Sequence, residues 1–529
     1  MHATRSGLTA EAGTSRRDPL VLAIDLGTSS IKVAGVDREL KAEAIATSTQ
    51  RVLGGADGRR EHRPGQTWCA TLRATRSVIA DVADRSRIAA ISVTGPRGSL
   101  LITDRSGKPR TNALSWQDRR AAALASSLDP DTAARFRAIT GAAFDPAVGL
   151  PKLLWLRSAM PDAFVGDWRI ATPQSDVLRR LGADPGAVDL SVAGHLGLLD
   201  VQELAWSGPL LERFGVPPAA TPKLVMQGST VGRLSDAAAG LLGLASGLPL
   251  VAAASDGICS ELGAGVVQTG QRYAYLGTAS AIAGPIASPK LPDDESVILM
   301  PGSVVDRWRL VGLGMAGASA RAWFMATMGM RDESRFDALV ERSPAGARGV
   351  SFLPTLAGAT APVRDPRARG VFAGLSLGSS RADLARAVLE GVGLELRWLN
   401  RAMGSAVGTS DLRLTGGGSR SRTWTQILAD LFGVPVARVL EPNPGLRGAA
   451  AYGWAALDSS QSVVDRARAY PTPVETFEPR AEHGALYEEA AGIYAALRAA
   501  LHDSGLDGRI AAAGTSSGGS PAGSPGDVP

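Results

Sequence analysis

Cysteine, histidine and long apolar runs are scarce in this sequence. The 529 residues include 2 cysteines, Cys69 and Cys259, and 5 histidines. Two distant cysteines argue against a disulfide framework and favour a reducing compartment, and neither residue type shows the spacing of zinc ligands. No apolar stretch is long enough to span a bilayer. We therefore expect a cytoplasmic protein with no membrane partner.

Clusters of basic charge are also missing. The net charge is +5, from 56 Lys and Arg against 51 Asp and Glu. Arginine supplies most of the positive charge, and it is scattered rather than gathered into runs interleaved with aromatic residues. This distribution argues against a nucleic-acid partner. The hydrophobic fraction of 45% can build sizeable cores, and the length allows two or three domains.

Strand and helix patterns alternate along the chain. Helical spacing is clearest in Trp424, Ile427, Leu428 and Leu431. Apolar or alternating runs predict strands at 20–25, 31–37, 88–94, 99–103, 249–254, 273–276, 308–313 and 411–415. Together the two patterns predict an α/β fold.

The pattern restarts near residue 247. A second apolar strand ends at the acid of A-A-A-S-D-G, and a second Gly-Thr turn follows it. We expect two related domains, residues 19–247 and 248–507, that face a cleft. The polar residues 1–18 and the Gly/Ser/Pro-rich residues 508–529 are expected to be disordered, because they cannot bury enough apolar surface.

The segment V-L-A-I-D-L-G-T-S-S-I-K places an acid, Asp25, at the end of an apolar strand. The turn Gly27-Thr28-Ser29 offers backbone N–H groups and hydroxyls that suit phosphate oxygens, and Lys32 adds positive charge. Asp25 would be repelled by phosphate but can hold a hydrated Mg²⁺ that bridges to it. The alternative is an ordinary hairpin whose acid caps the turn. The segment is not a P-loop, because Gly-Lys-Ser/Thr before a helix is absent.

Two later segments have related chemistry. Gly277-Thr278 in L-G-T-A-S repeats the turn and could hold the other phosphates. Gly416, Gly417 and Gly418 follow a strand and precede an amphipathic helix. Glycines allow close approach of backbone to a flat group, and a helix N-terminus favours polar or anionic ligands. A simple strand-to-helix loop is the alternative, although it seldom needs three consecutive glycines.

The order of these motifs resembles the FGGY family of carbohydrate kinases, within the actin/Hsp70/sugar-kinase superfamily, over roughly residues 19–500. The matching stretches are D-L-G-T-S-S-I-K, S-W-Q-D-R-R, P-K-L-L-W-L, A-S-D-G-I-C-S-E-L-G-A-G, L-G-T-A-S, F-L-P-T-L-A-G-A-T-A-P-V-R-D-P and L-T-G-G-G-S-R-S-R-T-W. Each stretch is weakly specific alone, but seven in the family's order are strong. The resemblance implies two ribonuclease-H-like domains with ATP and a sugar between them.

The resemblance also implies roles for individual residues. Asp256 of S-D-G matches the catalytic base, which takes the proton of a sugar hydroxyl as that oxygen attacks the γ-phosphate; a helix cap is its alternative. Asp25 would organise Mg²⁺, and Gly277-Thr278 would meet the terminal phosphates. The nucleotide set is completed by the three glycines at 416–418 and by Asn443.

The expected substrate is a ketopentose, as in xylulokinases, or a related polyol or sugar acid such as gluconate. In the family, the stretch W-Q-D-R-R carries sugar-contacting residues, so Trp116 and Asp118 are substrate candidates, although Trp116 could equally belong to the core. The expected partners are ATP and this small molecule, with a homodimer left open.

The chain departs from the family after the strand at 88–94. There it reads Thr94-Gly95-Pro96-Arg97-Gly98 where relatives place polar side chains on the sugar, so Arg97 is the remaining long polar candidate. Gly98 lacks a side chain, so we expect a wider, less polar pocket on that side. We therefore expect a sugar acid, or an unusual ketose or polyol, to be preferred over D-xylulose. The usual Gly-Glu-Arg of the central motif is also replaced, by Gly358-Ala359-Thr360.

Two other functions fit parts of the sequence. The run from Gly312 to Gly317 matches G-x-G-x-x-G after a strand, with Asp332 at a suitable distance, which would suit a dinucleotide-dependent oxidoreductase. No βαβ half precedes it, so the match is weak. A non-catalytic or chaperone-like ATP-binding relative is the second alternative.

Overall fold

A computed structural model describes residues 18–303, 307–361, 363–408 and 410–516. Its strands are Leu20–Leu26 (β1), Ser30–Val36 (β2), Ala42–Thr49 (β3), Leu53–Gly54 (β4), Arg60–His62 (β5), Ile88–Thr94 (β6), Leu101–Asp104 (β7), Ala113–Leu114 (β8), Trp168–Ala171 (β9), Ala187–Asp189 (β10), Leu199–Asp200 (β11), Ala205–Trp206 (β12), Lys223–Val225 (β13), Ser229–Arg233 (β14), Pro249–Ala252 (β15), Arg272–Leu276 (β16), Ser280–Ile286 (β17), Val297–Pro301 (β18), Trp308–Gly314 (β19), Ser351–Leu353 (β20), Val371–Ala373 (β21), Leu412–Thr415 (β22), Val436–Val439 (β23) and Val474–Phe477 (β24).

The α-helices lie between and on these strands. They are Pro64–Asp81 (α1), Ala122–Ser126 (α2), Pro130–Thr140 (α3), Gly149–Ala159 (α4), Pro173–Leu181 (α5), Leu190–Ala193 (α6), Gly208–Arg213 (α7), Asp236–Leu242 (α8), Asp256–Gly263 (α9), Ala318–Thr327 (α10), Glu333–Glu341 (α11), Arg381–Ala402 (α12), Arg422–Phe432 (α13), Pro444–Leu457 (α14), Val463–Ala469 (α15), Gly484–Asp503 (α16) and Leu506–Ser516 (α17). Within the described ranges, no helix is both long and apolar enough to cross a membrane.

Two large sheets organise the chain, and they share one pairing pattern. The first has the order β3-β2-β1-β6-β15-β14, and the second has the order β18-β19-β17-β16-β22-β23-β24. Leaving out the edge strand β18, each sheet shows two antiparallel pairings, then two parallel pairings, then one antiparallel pairing. This repetition agrees with the expectation of two related halves. The predicted strands are all present, with shifted ends.

The start of the second half differs from the sequence interpretation. Strand β15 lies in the first sheet, parallel to β6, although the boundary was placed between residues 247 and 248. An apolar strand after Gly-Leu-Pro gives no local sign of which sheet it joins. The first sheet therefore still includes residue 252, and helix α9 begins shortly after the end of β15, at Asp256.

The expected disordered ends are described only in part. Residues 1–17 and 517–529 lie outside the described ranges. Residues 508–516, by contrast, continue helix α17 rather than forming an irregular tail. Asp507 at the start of α17 is buried and accepts a 2.6 Å hydrogen bond from the fully buried Arg498 of α16, which fixes this helix to the second half.

Helices α9 and α14 cross in direct backbone contact. A Cβ built on Gly263 would collide with the carbonyl of Pro444, and one built on Gly448 would collide with the carbonyl of Cys259. Around the crossing, side chains of both helices form one apolar cluster with β1 and β6, including Val21, Ala90, Ile258, Leu446 and Ala450. Through α14, the chain after residue 443 is packed against the first sheet.

We predict that Gly448→Ala lowers the thermal melting midpoint, because the new methyl group must separate two packed helices. Overpacking of this kind costs about 1–3 kcal/mol. Gly492→Ala, in α16, is the matched control: a Cβ there meets nothing within 4 Å, and alanine favours a helix. Equal melting midpoints for Gly448→Ala and the unmodified protein would contradict the close crossing.

Candidate active site

The first Gly-Thr turn joins the end of β1 to the start of β2, two interior strands of the first sheet. Asp25 stands opposite Lys32 in this hairpin and beside Thr94 of the parallel strand β6. The turn is tight, since a Cβ on Gly27 would lie 2.8 Å from the Ser30 carbonyl oxygen. Behind the turn, the amide of Gln50 donates to the carbonyls of residues 27 and 28, at 3.2 and 3.4 Å. The sequence gives no sign of this support for the turn, which comes from the end of β3.

Trp116 ties this turn to the loop after β6. Its indole N–H lies 3.4 Å from the Thr28 hydroxyl, and its backbone N–H donates to Ser99 Oγ at 3.1 Å. The half-buried ring therefore stands between the first turn and the 95–99 loop. Ser29, at the tip of the turn, is exposed.

The second Gly-Thr turn joins β16 to β17 and is held from behind by the start of α10. Gly317 N–H donates to the Thr278 carbonyl at 2.9 Å, and Ala318 N–H donates to the Gly277 carbonyl at 2.6 Å. Ser319 Oγ also donates to the Thr278 carbonyl, at 2.6 Å. A Cβ on Gly317 would lie 2.5 Å from the Ala279 carbonyl oxygen, so glycine is needed there for packing.

These contacts explain the G-x-G-x-x-G match without a dinucleotide. Strand β19, which carries its first glycines, pairs antiparallel with both β17 and β18. A dinucleotide site requires this motif at the first turn of a parallel βαβ unit. The oxidoreductase alternative is therefore wrong.

The three-glycine loop leaves β22 beside the second turn, because β16 and β22 are parallel and end together. Gly416 has a φ of 94°, and its Cβ would lie 2.5 Å from the Leu276 carbonyl oxygen. A Cβ on Gly418 would lie 2.8 Å from Leu276 Cβ and 2.9 Å from the Trp424 ring. Only Gly417 of the three has open space, with its nearest neighbour at 3.9 Å. Packing therefore explains two of the glycines, and the middle one is free to face a ligand.

Asn443 immediately precedes α14, and the start of this helix lies near the first turn. Its side chain makes no capping hydrogen bond, and its backbone N–H donates to Glu441 at 2.9 Å. Two residues on, a Cβ on Gly445 would lie 3.3 Å from Asp25 Oδ2 and 3.3 Å from Ser260 Oγ. The start of α14 thus lies against the acid of the first turn.

Two acids from different elements influence each other in this region. Oδ1 of Asp25 is buried and has no hydrogen-bond partner among the described residues. Burial and the charge of Asp256 raise the pKa of Asp25 to about 7, and Lys32 opposes that rise. An unpaired carboxylate in such surroundings is a functional-site candidate.

Asp256 is the first residue of α9, after the buried Ser255. Its backbone N–H donates to the Gly95 carbonyl at 3.0 Å, and its Oδ1 accepts from Gly257 N–H at 2.7 Å. Burial raises the pKa of Asp256, and the positive charges of Arg97 and Arg309 oppose that rise. The carboxylate is therefore held beside two cations at a helix N-terminus.

Arg309 is a site residue that the sequence analysis missed. It lies in β19, is 3% exposed and forms an ion pair with Glu261 of α9. Its Nε and Nη1 have no partner in the described part of the chain. A Cβ on Gly257 would lie 3.4 Å from Arg309 Nη1 and 3.6 Å from Arg97 Nη2, so both guanidinium groups face the start of α9. The sequence does contain a signal for this site residue, because Arg309 is a charged side chain inside the apolar run W-R-L-V-G.

Arg97, the long polar substrate candidate after β6, lies within electrostatic range of Asp256. Burial and the neighbouring Arg309 lower the pKa of Arg97 to about 10, and Asp256 and Glu261 oppose that change. It also contacts the Met300 sulfur.

Two substrate-pocket expectations are wrong. Asp118 is fully buried, and it accepts hydrogen bonds from Arg60 N–H at 2.8 Å and from Arg120 Nη2 at 2.8 Å, so it fixes loops rather than facing a ligand. Gly98 does not widen the pocket either. Its φ is 67°, and a Cβ there would collide with the Ala147 carbonyl and lie 2.7 Å from the His195 ring. The space is already filled by neighbouring segments.

A buried acid lies behind the second turn. A Cβ on Gly314 would collide with both the Glu395 carboxyl and the Ser280 hydroxyl, which places these groups side by side. Both oxygens of Glu395 are buried without partners among the described residues. Burial raises the pKa of Glu395 to about 8, and Arg498 opposes that rise.

The paired sheets, the two Gly-Thr turns and the acid at the start of α9 define a phosphotransferase with an actin-like ATPase fold. Residues 20–263 match the N-terminal domain, and residues 273–457 the C-terminal domain, of the FGGY family of carbohydrate kinases. The chain belongs to this family, whose members are ATP-dependent carbohydrate kinases acting on an alcohol group.

Similar proteins match over nearly their whole length. Apulose kinase of Pectobacterium atrosepticum is 30% identical over 489 residues, which are 89% of this chain and 96% of that protein. Xylulose kinase of Staphylococcus epidermidis is 28% identical, over 90% of this chain and 96% of that protein. The crystal structure of a xyloylose kinase from Brucella ovis superposes with a TM-score of 0.85 at 28% identity, covering 92% of this chain and 99% of that one.

We predict that Glu395→Gln changes the pH dependence of stability in the ligand-free protein. Burial raises the pKa of Glu395 to about 8 in the folded chain, from an ordinary value of 4.5 for an exposed glutamate. Its proton therefore stabilises the fold fully below about pH 4.5, and this contribution is lost as the pH rises towards 8. Glutamine stays neutral and avoids the loss. The variant should gain melting temperature relative to the unmodified protein between pH 5 and pH 9.

Glu489→Gln, at an exposed position of α16, is the control and should leave that pH profile unchanged. Parallel profiles for Glu395→Gln and the unmodified protein would show that Glu395 is ionised in the folded state at neutral pH.

Proposed function

We propose that Asp256 is the general base with which this kinase transfers the γ-phosphate of ATP to a hydroxyl of a sugar. The observation that carries the proposal is the position of Asp256 at the start of α9, where the guanidinium groups of Arg97 and Arg309 also point and where Asp25 is within electrostatic range. In the reaction, the sugar oxygen bonds to phosphorus, the bond from phosphorus to the β-phosphate oxygen breaks, and the sugar proton passes to Asp256. ADP leaves with the electrons of the broken bond.

The remaining residues bind and orient rather than exchange protons. Phosphoryl transfer depends mainly on positioning and on neutralising charge. The turn at residues 27–29 and the turn at 277–278 would hold phosphates with N–H groups and hydroxyls, and Lys32 would add positive charge. Gly417, with open space above it, would lie against the nucleoside, close to the start of α14 and Asn443.

A magnesium ion fits the side of the site formed by Asp25. The fit rests on the buried, unpaired Oδ1 of Asp25, because hard cations take oxygen ligands and a cation would satisfy this atom. When bound with ATP, Mg²⁺ supplies charge neutralisation on the phosphates. Asp25 would hold the ion, through water or directly.

The names of the relatives favour a ketopentose-like substrate, and Trp116 is the proposed sugar contact. A sugar acid is the second candidate, and the two guanidinium groups at the start of α9 favour it. Arg309 keeps Nε and Nη1 without partners in the described ranges, although it is paired with Glu261. A carboxylate on the substrate would satisfy such donors. We place the reaction in the cytoplasm, where ATP is available.

We predict that Asp256→Asn lowers kcat by several orders of magnitude and leaves ATP affinity nearly unchanged, because asparagine cannot accept the sugar proton. Kinetics by coupled ADP release and nucleotide binding by calorimetry measure the two effects.

Asp236→Asn is a matched control for the helix-cap alternative. Asp236 is also the first residue of a helix and also follows a serine N-cap, in α8. It should retain full activity. Normal turnover in Asp256→Asn would remove the base assignment and leave the acid with the role of a helix cap.

We further predict that Arg97→Met separates the two substrate classes. Kinetics are measured over ketopentoses, polyols and aldonates. If the substrate is a sugar acid, kcat/KM for aldonates should fall about 10- to 100-fold more than for D-xylulose, because a charge-assisted hydrogen bond is lost. A panel in which D-xylulose is the best substrate and Arg97→Met is silent would exclude the sugar acid and leave the kinase assignment intact.

A further inference from the structure

Tyr275 is an aromatic side chain in the site for which no role has been assigned. It lies in β16, two residues before Gly277, where its strand neighbours Ala274 and Leu276 are fully buried. Tyr275 itself is 41% exposed. Its hydroxyl makes no hydrogen bond to any residue in the described ranges. A free phenol on an otherwise buried strand end is available to a ligand.

The phenol lies directly over the second Gly-Thr turn. A Cβ built on Gly277 would collide with the Tyr275 hydroxyl and with two ring carbons. This contact places the end of the ring against the backbone of the turn that is proposed to hold the terminal phosphates. The ring is therefore part of the wall of the phosphate site.

The phenol lies within electrostatic range of both acids of the site. Burial raises the pKa of Tyr275, and the negative charges of Asp256 and Asp25 raise it further. The hydroxyl therefore remains protonated at neutral pH and can donate one hydrogen bond. Asp256 is the proposed base on the sugar side, and Asp25 is the proposed metal ligand on the phosphate side. In the proposed reaction, the phosphoryl group moves from ATP, on the Asp25 side, to the sugar, on the Asp256 side.

We propose that the Tyr275 hydroxyl donates a hydrogen bond to the phosphoryl group that is transferred from ATP to the sugar. The inference rests on the proposed function, because it places the γ-phosphate between Asp25 and Asp256. Tyr275 neither gains nor loses a proton in this role. It adds a directed donor to oxygens on which charge is spread in the transition state.

The test compares Tyr275→Phe with Tyr273→Phe. Both variants lose one phenol hydroxyl from β16, on the same side of the strand, and keep the ring. Tyr273 is 4% exposed, and its hydroxyl accepts a 2.7 Å hydrogen bond from Thr415 inside the protein. Two quantities are measured for each variant: binding of Mg²⁺ with ADP or with a non-hydrolysable ATP analogue by calorimetry, and kcat and KM for the best sugar.

Tyr275→Phe should weaken binding of the ATP analogue about 5- to 10-fold and leave ADP binding within twofold, because only the analogue carries the γ-phosphate. Its kcat should fall about 10-fold or more at unchanged sugar KM. Tyr273→Phe should lose melting temperature but keep the unmodified preference between the two nucleotides.

Three results would overturn the inference: unchanged analogue binding and kcat in Tyr275→Phe, an equal loss for ADP and the analogue, or a change confined to sugar KM. The binding measurements need no turnover. If no sugar is phosphorylated by the unmodified protein, the proposed function fails, while the comparison of ADP with the analogue still decides the role of Tyr275.

Discussion

The contact between α9 and α14 is the constraint on which the site depends. Each helix presents a glycine to the backbone of the other, Gly263 to Pro444 and Gly448 to Cys259, and no side chain separates them. The same crossing brings Gly445 to within contact of Asp25. One close approach therefore positions the proposed base at the start of α9, the acid at the end of β1 and the loop before α14. Interiors packed this densely transmit small displacements, so the three groups are expected to move together.

Charge at the start of α9 is nearly balanced, and this balance sets the chemistry. Two cations, Arg97 and Arg309, stand beside two acids, Asp256 and Glu261. Burial raises the pKa of Asp256 and so favours its protonated form, and a protonated acid cannot accept a proton. The guanidinium groups oppose that effect without capturing the carboxylate, because Glu261 is the acid that pairs with Arg309. Lys32 opposes the rise in the pKa of Asp25, which still reaches about 7, and such a raised pKa suits the proposed metal ligand.

Much of this site could be predicted from local sequence. Asp25 and Asp256 end or follow apolar strands, and each Gly-Thr turn lies between two strands, so a short window contains both the element and its chemistry. Trp116, a substrate candidate from its motif, lies beside the first turn. The burial of Asp118 could not be predicted, because it depends on a long-range hydrogen bond from the backbone of Arg60 in β5, which the motif around Asp118 does not reveal. The same holds for Gly98, where the missing side chain is replaced by distant residues.

Long-range packing accounts for the other differences. Strand β15 has the same apolar pattern whichever sheet it joins, and its partner strand β6 lies about 160 residues earlier in the chain. Helix α17 has the composition of a tail, but the buried pair Arg498 and Asp507 holds its first turn. The sequence shows Arg309 as an isolated cation in an apolar strand. Its position near Asp256 cannot be predicted in the same way, because that position depends on how the two sheets are assembled.

The central claim is that the two acids divide the reaction between them, with Asp25 on the metal and phosphate and Asp256 on the sugar. The most direct measurement is a crystal structure of the complex with a sugar substrate, a non-hydrolysable ATP analogue and Mn²⁺, located by its anomalous signal. The account predicts the manganese peak beside Asp25 and a sugar hydroxyl within hydrogen-bond distance of Asp256, directed at the γ-phosphate. A metal bound to Asp256, or a sugar hydroxyl on Asp25, would contradict it.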